Sequence, residues 1–439
     1  MKRTTPIAIG TAAVVALTLT ACGGGSGESG GDATADGPVT LSLAGWSLAS
    51  TPEFQTIADA FHEENPDITV DVKEYAAGND YDTQMTADLA AGTAPDIYVL
   101  KNLKNFYTYQ SGQQLLDVSD VAGELDGDTS GVDAYEADGA TYAVPYRQDS
   151  WILYYNQELF DQAGVEQPDG SWTWDDYTQA ATDLTTAFQG SGSTATGTYQ
   201  HSWQSTVQGF ALAQSDGASL DSADYSFLEP YYERAIELQD AGAQPTFGTV
   251  TTNSLTYQAQ FGTQQAAMMP MGTWYAATLI AQQENGEADE FAWGMAPIPQ
   301  VDESTTGTDA TPVTFGDPTG LGINPAIDEN KVQAAKDFLA FAAGEGGAAA
   351  LAEIGITPAL FSDTVVDTFF GLEGVPTDDL SKFAFSTHET KPENPVAPST
   401  AAVQNILNDL HTAVMSGSTP IADAIPEAES RASSEAGIG

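Results

Sequence analysis

From Val39 onward the chain alternates short strand-forming runs with amphipathic helical ones, and nothing between them has the composition of a hairpin turn. Few architectures admit that order. Val39 to Trp46 is apolar at alternate positions, the period of a half-buried strand. Thr51-Pro52-Glu53 then opens a helix, with Thr51 as N-cap and Pro52 at the first helical position, and its inward stripe is Phe54, Ile57, Ala58 and Phe61. Asn65-Pro66 ends it. Ile68 to Val72 reads as a second strand, Tyr81 to Ala91 as a second helix stopped at Gly92, and Asp96 to Leu100 as a third strand. Strand, helix, strand, helix, strand is the succession of a parallel sheet with helices on its faces, so the fold class is α/β.

The N-terminus fixes an address. Lys2 and Arg3 precede an apolar run from Ile7 to Leu19, and Leu19-Thr20-Ala21-Cys22 follows. A basic start, a short apolar stretch and small residues at the cut are the parts of a secretory signal, too short to span a bilayer comfortably. The last four residues resemble the lipobox of bacterial lipoproteins. That resemblance implies a signal peptide over 1–21, cleavage before Cys22, and a diacylglycerol on its thiol that anchors the protein to the extracellular face of the cell membrane. Residues 22–37 are Gly, Ser, Thr, Ala and acid without apolar periodicity, the composition of a flexible tether. Cys22 is the only cysteine, so no intramolecular disulfide forms and the fold rests on its apolar cores. A mature chain of more than four hundred residues calls for two or more domains.

Twelve Lys and Arg stand against 62 Asp and Glu, a formal charge of −50. Such a surface repels nucleic acid and anionic headgroups, which leaves the lipid as the only expected membrane contact. The acids are dispersed through the chain and read as a solvated shell. Either a salt-rich environment, where ions screen the self-repulsion, or a lineage bias in composition accounts for them.

Beyond these local patterns, ordered strings along the chain resemble the extracellular solute-binding proteins of family 1, which feed sugars to ABC importers. They include Phe61-x3-Asn65-Pro66-Asp67-Ile68, Leu89-Ala90-Ala91-Gly92-Thr93-Ala94-Pro95-Asp96 and Tyr142-Ala143-Val144-Pro145-Tyr146-x2-Asp149. Thr173-Trp174-Asp175-Asp176, Ala266-Ala267-Met268-Met269-x2-Gly272-Thr273-Trp274, Trp293-Gly294-Met295-Ala296-Pro297 and Ala335-Lys336-Asp337-Phe338-Leu339 continue the series. One departure is Leu360, where the family often has arginine. The resemblance implies a maltose-binding-protein-like, two-lobed periplasmic-binding-protein type II fold with a hinge and a ligand cleft between the lobes. Carried onto this chain, the first lobe is 38–147 with a return segment 311–343, the second is 148–310 with 344–430, and 431–439 is a tail. Loop-forming Gly, Asp, Ser and Thr cluster near those crossings.

A sugar offers hydroxyls and two weakly apolar faces, so its site needs aromatic rings to stack on and carboxylates or amides to hold hydroxyls. Trp46, at the carboxyl end of the first strand, and Trp274 with its neighbour Tyr275 are candidates for the stacking role, as is Trp203 near His201 and Gln204. Asp149, at a lobe crossing, is the first choice for the carboxylate. Lys101 and Asn102 follow the third strand, and Asp317 sits in Phe315-Gly316-Asp317-Pro318, which is also a turn signal.

No Gly-x-Ser-x-Gly elbow, His-Glu-x-x-His or phosphate-binding loop is present, and His62, His201, His388 and His411 lack metal-ligand spacing. No catalytic residue, cofactor or metal is therefore expected. Internal repeats of the kind a scaffold protein would show are absent too. The expectation is a monomeric, lipid-anchored binding protein that captures a carbohydrate and hands it to the permease subunits of an ABC transporter. The alternatives are a binding protein for another polar solute such as a polyol phosphate, and a secreted glycoside hydrolase, which would need two carboxylates around a glycosidic bond.

Overall fold

The computed structural model describes residues 37–48, 52–76 and 79–439. The leader, Cys22, nearly all of the tether and the expected N-cap Thr51 lie outside the described residues. In chain order the strands that build the fold are β1 (Val39–Trp46), β2 (Ile68–Tyr75), β3 (Ile97–Leu100), β4 (Val144–Gln148), β5 (Trp151–Asn156), β6 (Thr196–Thr198), β7 (Ala266–Gly272), β8 (Trp293–Ala296), β9 (Val313–Phe315), β10 (Pro318–Ile323) and β11 (Glu389–Lys391). The helices that matter to the site are α1 (Glu53–Glu64), α2 (Asn79–Ala91), α3 (Trp174–Ser191), α4 (Tyr275–Asn285), α5 (Val332–Ala343), α6 (Glu345–Ala352) and α7 (Thr400–Met415).

The strands form two main sheets, one in the order β2-β1-β3-β10-β4 and one in the order β8-β5-β7-β6. β1 runs parallel to β2 and β3, as the strand and helix alternation requires, while β10 is antiparallel to both β3 and β4. Each sheet has its own core. Leu41, Leu43, Phe54, Phe61, Tyr98 and Phe338 pack in the first, and Tyr154, Leu184, Met268, Tyr275 and Leu410 in the second. Two cores around two sheets make the two-lobed α/β architecture.

Local chemistry accounts for the element ends. Thr173 accepts a hydrogen bond from the Asp176 backbone while Asp176 bonds back to Thr173, a capping box that starts α3. Pro52 takes the N-cap position of α1, one place later than expected, so that Glu53 becomes the first helical residue. An acid there meets the positive end of the helix dipole.

The chain passes from the first sheet to the second between Gln148 and Trp151, and returns to the first sheet between Phe315, which ends β9 of the separate β9-β11 pair and packs in the second core, and Pro318. These two passages lie side by side, with Gln148 in register with Pro318. They approach so closely that a β-carbon on Gly316 would fall 2.1 Å from the Asp149 carbonyl oxygen. A third passage differs from the loop-rich stretch at 344–347. Leu351 and Ile356 still belong to the first core, and the backbone of 357–359 bonds to β4 at Tyr146 and Gln148. Small residues in α6 let it sit tightly against α1 and α5 instead of leaving for the second lobe.

Candidate functional site

At the carboxyl end of the first sheet Trp46 is wedged edge-on against Phe54 and Tyr81, with ring centroids 4.9 and 5.0 Å away. Lys101, just beyond β3, reaches over the same rings, its Nζ 5.9 Å from Trp46 and 5.5 Å from Tyr81. It also pairs with Asp82 at 3.7 Å. Burial pulls the Lys101 ammonium below its ordinary range, against the pull of Asp82, and burial likewise raises Asp82 against Lys101. Asn102 turns into its own loop, where its Oδ1 accepts the Lys104 backbone N–H at 3.1 Å.

Arg147, on β4, lies between two carboxylates. Its Nη1 donates to Glu53 Oε2 and its Nε to Asp149 Oδ2, each at 2.5 Å. Glu53 is fully buried and also accepts from the Tyr146 hydroxyl at 3.0 Å. Burial raises the Glu53 carboxyl, opposed first by Arg147. For Arg147 burial acts downward, but Asp149 and Glu53 outweigh it and hold the guanidinium above its ordinary value. Asp149 joins the two lobes: its second oxygen accepts from Thr273 Oγ1, at the end of β7, at 2.9 Å. An acid, arginine, acid array with every charge partnered is stable in a low-dielectric site where a lone carboxylate would not be.

Next to Thr273 begins an aromatic wall. The Trp274 ring lies 5.5 Å from Trp151 and 6.5 Å from Trp203. Trp203 is itself 4.4 Å from His201 and 5.6 Å from Tyr257. Among the described residues Trp203 is the only exposed tryptophan, at 39%. Burial depresses His201 to about 4, so the wall carries no charge near neutral pH. Thr273, which bonds Asp149, directly precedes Trp274, which brings the charged array to the wall.

The sequence candidates therefore separate. Trp46 and Lys101 come together on the first lobe, Trp203 and Trp274 on the second, and Asp149 bridges them through Thr273. Tyr275 does not join them. It is fully buried among Tyr154, Tyr257 and Phe261, because the first turn of α4 rotates it into the core while Trp274 stays at the rim. Asp317 does not join them either. Its two oxygens accept from the Leu103, Glu393 and Asn394 backbones and from Asn394 Nδ2, at 2.6–3.2 Å, so it ties three chain segments together at the crossing. Glu53, Arg147, Thr273 and Tyr257 were missed by sequence reasoning. Only Arg147 carried a usable signal, as one of very few cations in so acidic a chain.

No group of three or more His, Cys, Asp or Glu side chains among the described residues is arranged to hold a metal ion. Among the same residues no helix is long and apolar enough to cross a membrane.

The profile of bacterial extracellular solute-binding proteins matches residues 45–349. A putative binding protein of Brucella abortus is 28% identical over 31% of this chain, and the match takes in 33% of that relative's length. The diacetylchitobiose binding protein DasA of Streptomyces coelicolor is 26% identical over 98% of this chain and 97% of its own. Among solved structures, a sugar transporter of Rhizobium etli in an open conformation superposes with a TM-score of 0.74 at 30% identity, covering 90% of this chain and 98% of that one. With two sheets, two cores and a bridged aromatic and acidic site between them, the chain belongs to the bacterial extracellular solute-binding protein family.

Proposed function

We propose that this protein is the ligand-capturing subunit of an ABC importer and that its ligand is a carbohydrate, mono- or oligosaccharide, held between the lobes. The observation that carries the reading is the juxtaposition of an uncharged aromatic wall, Trp203, Tyr257 and Trp274, with the Glu53, Arg147 and Asp149 array. Flat rings stack on sugar faces, and a carboxylate fixed as Asp149 is keeps acceptor positions for hydroxyls beyond those its two partners use. DasA, by its name a binder of diacetylchitobiose, supports a sugar over other solutes. A polyol phosphate fits less well, because Arg147 and Lys101 are already committed to carboxylates and a chain of charge −50 repels anions at range.

In this reading Cys22 carries the lipid, the tether holds a monomeric body outside the cell membrane, and closure of the lobes presents a continuous face to the permease. Capture is the whole function, and the ligand leaves chemically intact. A thermal-shift screen of mono- and oligosaccharides, diacetylchitobiose included, tests the reading. A ligand at 100 times its Kd adds about 2.7 kcal/mol to the bound fold, a clear rise in Tm. No rise with any sugar, or hydrolysis products in the incubated sample, would overturn it.

A further inference from the structure

Along the passage from β4 to β5 the side chains alternate between two faces, as an extended backbone requires. Arg147 and Asp149 turn to one face, toward each other, Glu53 and Thr273, the residue before Trp274. Gln148 and Ser150 turn the other way, into a cavity of about 660 Å³. The return passage follows the same rule, with Gly316 and Pro318 on the cavity and Asp317 between them turned elsewhere. A β-carbon on Gly131 would meet both Pro318 and the Gln148 amide oxygen, which fixes the direction of Gln148. None of Trp46, Trp203 or Trp274 lines this cavity.

Its walls come from both lobes, and their chemistry is uniform. Hydroxyls and amides dominate the polar part: Ser130, Gln148, Ser150, Thr390 and Asn394. Phe361 and Phe385, 5.8 Å apart, supply ring faces. No lysine or arginine lines it, and Asp133 is the only carboxylate. His388 also lines it, held below its ordinary range by burial and so uncharged near neutral pH. Two wall residues, Thr357 and Asn394, each bury an oxygen with no hydrogen-bond partner, a cost that an ordered hydroxyl relieves. The volume is in the range of small-molecule sites, roughly 300–1,000 Å³.

We propose that this cavity is a second binding site, on the far side of the crossing from the aromatic wall, for a small uncharged polyol. An anion finds no cation there, a cation only Asp133 at the rim, and a hydrocarbon would leave the hydroxyl and amide groups unpaired. The proposal does not depend on which solute the aromatic site takes.

Sorbitol is the probe, read by saturation-transfer NMR on the full chain. Trp274→Ala disables the aromatic wall, and Ser130→Trp and Asp133→Trp, both at exposed rim positions, fill the cavity. A saturable sorbitol signal is expected in the wild type and in Trp274→Ala, with loss of the signal in Ser130→Trp or Asp133→Trp at unchanged Tm. No saturable signal in the wild type, loss in Trp274→Ala, or persistence in both rim variants overturns the proposal. Failure of the sugar screen leaves this result intact, so the two readings fall separately.

Discussion

The ring of Trp274 lies across Gly272: a β-carbon on that glycine would fall 1.9 Å from the indole. Gly272 is the last residue of β7 and pairs with Trp151 on β5, whose ring stands edge-on to Trp274. The tryptophan is therefore held between a neighbouring indole and a missing side chain, and the strand must end in glycine for the ring to keep its place. An aromatic face set this firmly loses no orientation on binding, which is where a binding site gains affinity.

Gly272→Ala should displace Trp274 and weaken binding of the sugar returned by the screen about as much as Trp274→Ala does, on the order of 1–3 kcal/mol. Calorimetric titration of both variants checks this. Wild-type affinity in Gly272→Ala, with the variant folded, would mean that the orientation of Trp274 is irrelevant to the ligand.

Asp149→Asn should lower stability as well as affinity. The carboxylate is 6% exposed and satisfied by Arg147 and Thr273, so the variant leaves a buried guanidinium with Glu53 as its remaining acid. A loss of about 1–3 kcal/mol is expected, below the cost of a fully stranded charge. Urea denaturation of the variant in the absence of sugar measures it, and an unchanged midpoint would contradict the role given to Asp149 as a strut between the lobes.

What the sequence revealed follows from how far apart the interacting residues lie. The stretch from β1 to β3 was legible because alternation, the α1 stripe and the stop at Asn65-Pro66 are local signals. Trp203 and Trp274 were legible as aromatics in short motifs. Tyr275 misled because adjacent residues at a helix start diverge by about 100°, and nothing in the sequence says which of the two turns inward. Asp317 read as a turn former or a ligand group, but its partners Leu103, Glu393 and Asn394 lie far away in the chain. Glu53 was invisible for the same reason, since its partners Tyr146 and Arg147 come from another strand.

Cys22→Ser should release the protein from membranes with no change in sugar affinity, because a single thiol carries the proposed lipid and the site is built from residues beyond Trp46. Fractionation and titration of the same variant decide it. Membrane retention equal to wild type would remove the lipobox reading.

Salt should raise Tm if the acidic shell is an adaptation to ions. With 62 acids against 12 cations most carboxylates have no cation to pair with, and their mutual repulsion is screened as the Debye length falls from about 10 Å at 0.1 M to about 3 Å at 1 M. A flat Tm between low and molar NaCl would leave lineage bias as the account of the composition.

Glu393 makes a pH prediction with a definite sign. It is partly buried, bonded to Ser205, and its backbone N–H donates to Asp317. Burial raises its carboxyl to about 7, with the nearby Asp317 adding to the rise and Lys104 opposing it. A carboxyl whose pKa is higher in the folded chain than in the unfolded one binds its proton more tightly when folded. Its contribution to stability is therefore complete below the unfolded value, about 4.3, and is lost as pH rises through about 7. The wild type should lose no more than about 4 kcal/mol across that window relative to Glu393→Gln, whose neutral amide keeps the shape without the titration. Denaturation midpoints of the two proteins between pH 4 and 8 provide the comparison. Parallel curves would mean that folding leaves its pKa unchanged, and a difference that grows toward acid would mean that its pKa is depressed.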